Sequence, residues 1–323
     1  MKTLITGVAG FFGSNLAEHL LASGHEVIGI DNFNDYYSPA IKEYNIREFK
    51  DNANFKLYRE DITNAEKLNE IFSTEKPEAV FHLAAWAGVT YSIDYPNVYV
   101  RNNVEGTVNI AEASVENKVK NLIYASSSSV YGSNPTPFVE TMPITDPKSP
   151  YPVTKYAGEM MLRTYSTNFG LPVTVIRIFN PVGKRLRPDL ALPKLVRSCE
   201  YGTEFPIYQD MESTGRDYCY IGHMFEAIDV LLQKPNAFEV FNLGNSSPVK
   251  LGELVSAVEK ISGKKVNGKK MPARKGEMEL TYANIEKAKN SLGYNPTTTI
   301  EQSVKIFYDW YMQQDEAYKK GEL

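Results

Sequence analysis

The sequence predicts an α/β fold: a doubly wound parallel sheet with a smaller C-terminal α/β domain. Three observations predict it. Short apolar runs alternate with amphipathic segments through the first half, the pattern of strands crossed by helices. The first run, Thr3-Leu4-Ile5-Thr6, feeds directly into Gly7-Val8-Ala9-Gly10-Phe11-Phe12-Gly13. After about Asn180 the rhythm breaks, and Pro181, Gly183, Pro188, Pro193, Gly202 and Pro206 crowd together.

The elements follow in order. Leu4-Ile5 is the first strand, and residues 14–22 a helix with Leu16, Leu20 and Leu21 on one side. Residues 27–30 and 55–57 are the next strands, with a helix over 65–72 after them. A fourth strand covers 79–83, a helix 104–115, a fifth strand 122–125 and a sixth 173–178. Right-handed crossovers make such a sheet doubly wound, of the Rossmann type. In the second half, residues 225–232, 251–261 and 300–312 read as helices and 240–243 as a strand. There is no internal repeat or long linker.

The 323 residues carry a formal net charge of −4, which argues against nucleic acid as a partner. The two cysteines, Cys199 and Cys219, fit neither a disulfide framework nor a zinc site. The four histidines, His19, His25, His82 and His223, show no metal-ligand spacing, so no metal is expected. No apolar run is long enough to span a membrane. Gly7, Gly10 and Gly13 interrupt what could pass for a signal peptide, and a cytoplasmic location is expected.

The glycine run can bring backbone close to a pyrophosphate. Gly7 permits the tight turn, Gly10 leaves room for phosphate, and Gly13 lets helix and strand pack closely. The helix N-terminus then offers unpaired N–H groups. Asp31 stands 18 residues after Gly13, at the end of the second strand, where a carboxylate can accept both ribose hydroxyls. No arginine lies beside it in Asp31-Asn32-Phe33-Asn34, so NAD is favoured over NADP. Asp61 and Ile62 are placed to flank the adenine.

A second motif lies about 140 residues further on. Ser149-Pro150 opens a helix with a serine cap and a proline in the first turn. Tyr151 and Lys155 then share one helical face. A phenol at its ordinary pKa is a poor base at neutral pH, and a nearby ammonium should lower it. A hydroxyl from the run Ser126 to Ser129 can share the substrate proton. Together these residues suggest transfer of a hydride and a proton at an alcohol carbon.

Across nearly the whole chain these residues resemble the extended short-chain dehydrogenase/reductase family. Within it the sequence is similar to the nucleotide-sugar 4-epimerases, most to those acting on UDP-glucuronate. The resemblance is carried by Asp31-Asn32-Phe33-Asn34-Asp35-Tyr36-Tyr37, His82-Leu83-Ala84-Ala85, Ser126 to Gly132, Arg187-Pro188-Asp189, Arg216-Asp217-Tyr218 and Leu292-Gly293-Tyr294. It implies Ser127, Tyr151 and Lys155 as the catalytic set. Phe11, Phe12, Asn32, Leu83, Ala84, Ala85, Asn102 and Phe179 would join the cofactor site. Ser128, Asn180, Arg187, Tyr208, Arg216 and Arg274 would hold the substrate: Asn180, Arg216 and Arg274 at the diphosphate, Tyr208 on uracil, Arg187 near a uronate carboxylate.

Four departures stand out. Thr90 occupies a position usually held by arginine in uronate epimerases, and Trp86 a usual glutamine. Phe179-Asn180-Pro181-Val182-Gly183 looks more like the UDP-galactose enzymes, and Gly222-His223 replaces usual acidic residues. A neutral or N-acetylated UDP-hexose therefore stays open beside the uronate, as does uronate decarboxylation. A dehydratase is disfavoured by Ser128-Ser129 where an Asp-Glu pair is needed, and a non-catalytic NAD-binding scaffold by the intact Tyr151 and Lys155. The implied organisation is an NAD-binding domain over residues 1–180, to which segments near 216–245 return, and a nucleotide-sugar-binding domain over 181–323. A homodimer is expected through the helices after Asn102 and Tyr151.

Overall fold

The computed structural model describes residues 1–273 and 278–323. Its centre is a seven-stranded parallel sheet. The strands are β1 (Lys2–Thr6), β2 (Glu26–Ile30), β3 (Phe55–Tyr58), β4 (Ala79–His82), β5 (Asn121–Ser127), β6 (Val173–Ile178) and β7 (Phe238–Leu243). Their order is β7-β6-β5-β4-β1-β2-β3. The chain winds outward one way from β1, then returns beside it and winds the other way. That reversal places a crevice between β1 and β4 at the strands' C-terminal ends. The run read as a strand of the second half, 240–243, is the sheet's edge strand, paired with β6 from Phe238↔Val173 to Leu243↔Ile178.

Both faces of the sheet are covered, so the strands are apolar on both sides. Alternate residues serve the two cores. Leu4, Val80, Leu122, Tyr124 and Val175 face one, with Leu68, Ile71, Ile110 and Leu162. Ile5, Phe81, Ile123 and Ile176 face the other, with Leu16 and Leu20 of α1 (Phe11–Ala22). This second core runs unbroken into the C-terminal half through Leu195, Phe225, Leu254, Phe307 and Trp310. An ionic clamp adds to the join. The buried Arg185 guanidinium reaches Glu18 at 2.7 Å and Glu48 at 2.8 Å.

Several elements depart from the sequence reading. Helix α1 starts at Phe11 and not at residue 14, with Gly10 as its N-cap. Helix α2 (Pro39–Ile46) lies in a segment given no element, and helix α6 (Ala191–Tyr201) in the half where the strand–helix rhythm breaks. The helical stretch read from residue 104 begins earlier, as a π-turn over Val100–Glu105 that leads into α4 (Gly106–Glu116). Helix α3 spans Ala65–Glu75 and α5 spans Pro150–Phe169. Beyond β6, the described residues make three small sheets beside helices; one orders Val249–Lys250, Gly215–Arg216 and Leu280–Thr281. No helix among the described residues is long and apolar enough to cross a membrane.

Candidate active site

One cleft of about 940 Å³ opens at the C-terminal ends of the strands. Most of the residues singled out by sequence line it: Gly7, Gly10, Phe11, Phe12, Gly13, Asp31, Asn32, Ile62, Leu83, Ala84, Ala85, Asn102, Ser127, Ser128, Tyr151, Lys155, Phe179, Asn180, Arg187 and Arg216. Asp61 does not line it; its carboxylate accepts from Asn32 Nδ2 at 2.7 Å and from Thr63. Tyr208 lies in a smaller adjoining cavity of about 170 Å³, which shares Arg216 with the cleft. Arg274 lies outside the described residues.

The loop after β1 is shaped for close approach. Gly7 has φ of +72°, and a Cβ there would stand 2.9 Å from the Ala84 backbone. A Cβ on Gly13 would meet Val8 Cα at 2.9 Å and Gly7 O closer still. The first turn of α1 carries no acidic residue, so its N–H groups keep their positive end for an anion. Asp31 is buried at the tip of β2, with Ala9 N–H donating at 3.0 Å and Phe33 N–H at 2.9 Å. Burial pushes its carboxyl up, while Lys42 pulls it back. Each carboxylate oxygen retains accepting capacity beyond these bonds, enough for ribose hydroxyls. The cradle therefore fits a dinucleotide.

The opposite wall comes from β5 and α5. Ser149 is the N-cap of α5, yet its hydroxyl makes no cap bond; Ser92 Oγ accepts from Tyr151 N–H at 3.1 Å instead. Asn103, in the π-turn, donates to Thr154 Oγ1 at 3.0 Å and pairs with both backbone groups of Trp86. Four consecutive serines divide their tasks. Ser126 turns inward and donates to Glu159 Oε1 at 2.5 Å. Ser127 Oγ meets Ser129 Oγ at 2.8 Å and lines the same cleft as the Tyr151 phenol.

The electrostatics correct one expectation. Lys155 does not leave Tyr151 with an acidic phenol here. Burial raises the phenol, with Ser127 and the Arg187 charge opposing it. Burial also presses the Lys155 ammonium down to about 7, against the pull of Glu159. Its Nζ rests 4.3 Å from the Tyr124 ring centroid. The positive charge needed to make Tyr151 a base must come in part from what fills the cleft.

Sequence reasoning missed two features. An aromatic wall lines the mouth: Trp86 stacks on Tyr91 at 5.6 Å, Tyr36 sits edge-on to both, and Tyr99 turns its edge to Tyr151 at 6.0 Å. Arg187 holds Asp189 through two bonds, at 3.0 and 2.9 Å, and lies 5.2 Å from the Tyr36 ring. The second feature is the buried pair Arg177–Glu159, at 2.7 Å. Among the described residues, no group of three or more His, Cys, Asp or Glu gathers to hold a metal ion.

Known proteins resemble this chain in sequence and fold. A family model described as GDP-mannose 4,6 dehydratase matches residues 4–307. The chain is 40% identical over 339 residues to Protein CapI of Staphylococcus aureus, covering 99% of this chain and 100% of that protein. It is 36% identical over 317 residues to a UDP-glucuronate 4-epimerase of Thermodesulfobacterium geofontis, covering 98% of each. A crystal structure of UDP-glucuronic acid 4-epimerase from Bacillus cereus, in complex with UDP-glucuronic acid and NAD, superimposes with a TM-score of 0.91 at 35% identity. That match covers 97% of this chain and 99% of the other.

Proposed function

This chain belongs to the GDP-mannose 4,6-dehydratase family of extended short-chain dehydrogenase/reductases, and we propose that it is an NAD-dependent UDP-sugar 4-epimerase converting UDP-glucuronate to UDP-galacturonate. The observation that carries this reading is the meeting of Tyr151 and Ser127 across one cleft from the glycine cradle, at the sheet's switch point. The same relatives and the Bacillus cereus complex support the substrate.

The cradle of Gly7, Gly10 and Gly13, with Asp31 at the ribose, would hold NAD. Bound there, NAD would supply the hydride acceptor, and as NADH the hydride donor, for carbon 4 of the sugar. Tyr151 takes the proton from the 4-hydroxyl and later returns it to the same oxygen. Ser127 donates a hydrogen bond that steadies that oxygen as a carbonyl forms. Lys155 supplies positive charge below Tyr151. Asn180 and Arg216 would grip the diphosphate, and Tyr208 would pack on the uracil from the side cavity. Binding energy is thus concentrated on UDP, which leaves the sugar free to turn. Arg187, already oriented by Asp189, would meet the uronate carboxylate in a planar two-bond fork.

Three finer readings accompany this one. The domain division at about residue 180 is supported by the small sheets that follow β6, with β7 as the returning segment. A homodimer is supported by apolar side chains left open along α5 and the π-turn: Val153 at 48%, Met161 at 39% and Val100 at 52% exposure. Two buried free thiols, Cys199 and Cys219, suit a reducing cytoplasm.

The test is to incubate the purified protein separately with UDP-glucuronate, UDP-glucose and UDP-N-acetylglucosamine, then separate the products by chromatography. UDP-galacturonate of unchanged mass is expected from the first. Inversion of a neutral sugar alone moves the substrate assignment, and loss of carbon dioxide or water overturns epimerisation.

A further inference from the structure

The buried ion pair below the catalytic residues has no part in the steps above. Glu159 is fully buried and follows Tyr151 and Lys155 on the same helix, at intervals of four residues. That spacing stacks the three side chains along one face, one turn apart. Arg177 enters from β6 and closes a two-bond fork on the Glu159 carboxylate, Nε to Oε1 at 3.0 Å and Nη2 to Oε2 at 2.7 Å. Ser126, the neighbour of Ser127 on β5, donates to the same Oε1. Arg177 is itself braced, by the Glu140 carbonyl at 3.3 Å and by the Tyr131 ring 4.8 Å from its centre. Phenol, ammonium, carboxylate and guanidinium therefore succeed one another in a single buried row.

Stability alone gives little reason for such a pair. Taking two charges out of water costs several kcal/mol each, and well-packed apolar residues often serve as well or better. Its location does give a reason. Lys155 is buried beside two neutral aromatic groups: the Tyr124 ring of β5, and His82 of β4, whose burial, with the Lys155 charge, holds it down to about 3. Around Tyr151 stand Ser127, Arg187 with its partner Asp189, Tyr36 and Tyr99. The Glu159 charge favours the Lys155 ammonium against the effect of burial.

We propose that Glu159 is a positioning residue: held by Arg177 and Ser126, its carboxylate keeps the Lys155 ammonium charged and so sets the pH at which Tyr151 accepts the substrate proton. This rests on the epimerase reading of the cleft. Removing the carboxylate acts twice in one direction. Lys155 loses its attracting neighbour, and Arg177 becomes an unbalanced positive charge nearby. Both make Lys155 harder to protonate, and a neutral Lys155 no longer favours the Tyr151 phenolate, a loss that outweighs the direct pull of the more distant Arg177 on the phenol.

The experiment compares wild type, Glu159→Gln and Glu159→Asp as NAD-loaded protein. Two readouts are taken: the pH profile of kcat with UDP-glucuronate, and the titration of the Tyr151 phenol by near-ultraviolet absorbance, as the difference from a matching Tyr151→Phe protein. In Glu159→Gln the acid limb and the phenol titration are both expected to move up by about one to two pH units, the usual effect of one close charge. UDP affinity should not change, and Glu159→Asp, which keeps the charge, should move both readouts back towards wild type. If Glu159→Gln does not fold, Glu159→Gln/Arg177→Met removes both charges together, and a smaller upward shift is expected, because Glu159 stands one helical turn from Lys155 while Arg177 lies beyond it. A limb and titration that stay at the wild-type pH in every folded variant overturn the proposal, whatever happens to kcat or Tm. Should wild type turn over no UDP-sugar, the epimerase reading fails by itself, and the phenol titration still decides the role of Glu159.

Discussion

Gly13→Ala tests the cofactor cradle with a single methyl group. The added carbon would stand 2.9 Å from both Val8 Cα and Gly7 C, and closer still to Gly7 O. Carbon atoms in good contact lie about 3.5–4.0 Å apart, so the carbon contacts alone require loop and helix to separate by roughly 0.6–1 Å, and the Gly7 O contact requires more. Neither side yields easily. Val8 and Ala9 are fully buried, and Gly7 is pressed against the backbone of Ala84. Overpacking of this kind costs about 1–3 kcal/mol. Much of it falls on the loop that must receive the pyrophosphate, so NAD affinity should drop about 10- to 100-fold, at roughly 1.4 kcal/mol per tenfold. The assay is NAD content per protomer after purification, with thermal melts across added NAD. Gly24→Ala is the control: φ is +78° there, but no atom lies within 4 Å of the new methyl. It should lower the melting temperature and leave NAD content unchanged. Full NAD content and unaltered affinity in Gly13→Ala would mean that the dinucleotide does not sit on this loop.

Other perturbations address the opposite wall. Tyr151→Phe removes one hydroxyl and keeps the ring against Tyr99; kcat should fall about 10²- to 10⁴-fold with UDP binding intact, and epimerisation at the wild-type rate would refute the role of the phenol. Lys155→Met, stripped of NAD, should be more stable than wild type at and below neutral pH. The buried ammonium titrates near 7 in the fold and near 10 when unfolded, so its penalty is full below pH ~7 and fades as pH rises to ~10. Melts across that window should show the difference closing, and a pH-independent difference would contradict it. Ser92→Ala deletes the acceptor for Tyr151 N–H and should cost about 0.5–2 kcal/mol of stability, read by denaturant unfolding. An unchanged midpoint would show that Ser92 does not cap the helix.

The sheet was legible because its strands are short apolar runs buried on both faces, which sequence patterns report directly. The glycine loop and the Tyr151–Lys155 pair were legible because each depends on spacing along one element. Helix α6 was hidden by Pro193, which reads as a breaker but sits in the first turn, where its missing N–H is not needed. The π-turn leaves no spacing signal, yet it sets Asn103 between Trp86 and Thr154. Ser149 had the right residue type for a cap, but the acceptor came from Ser92, 57 positions earlier (149 − 92). The acidity expected of Tyr151 failed because neighbours along a helix do not report burial, and burial dominates both Tyr151 and Lys155. Glu159 and Arg177 were not singled out, since only tertiary packing brings β6 against α5 and pairs them.

The reversible oxidation at carbon 4 is tested most directly with UDP-glucuronate carrying deuterium on that carbon, followed by mass and NMR analysis of the product. UDP-galacturonate that keeps the label at carbon 4, with no hydrogen drawn from solvent at that position, is the expected result. Label lost to water while the configuration inverts would contradict a hydride that leaves carbon 4 and returns to it.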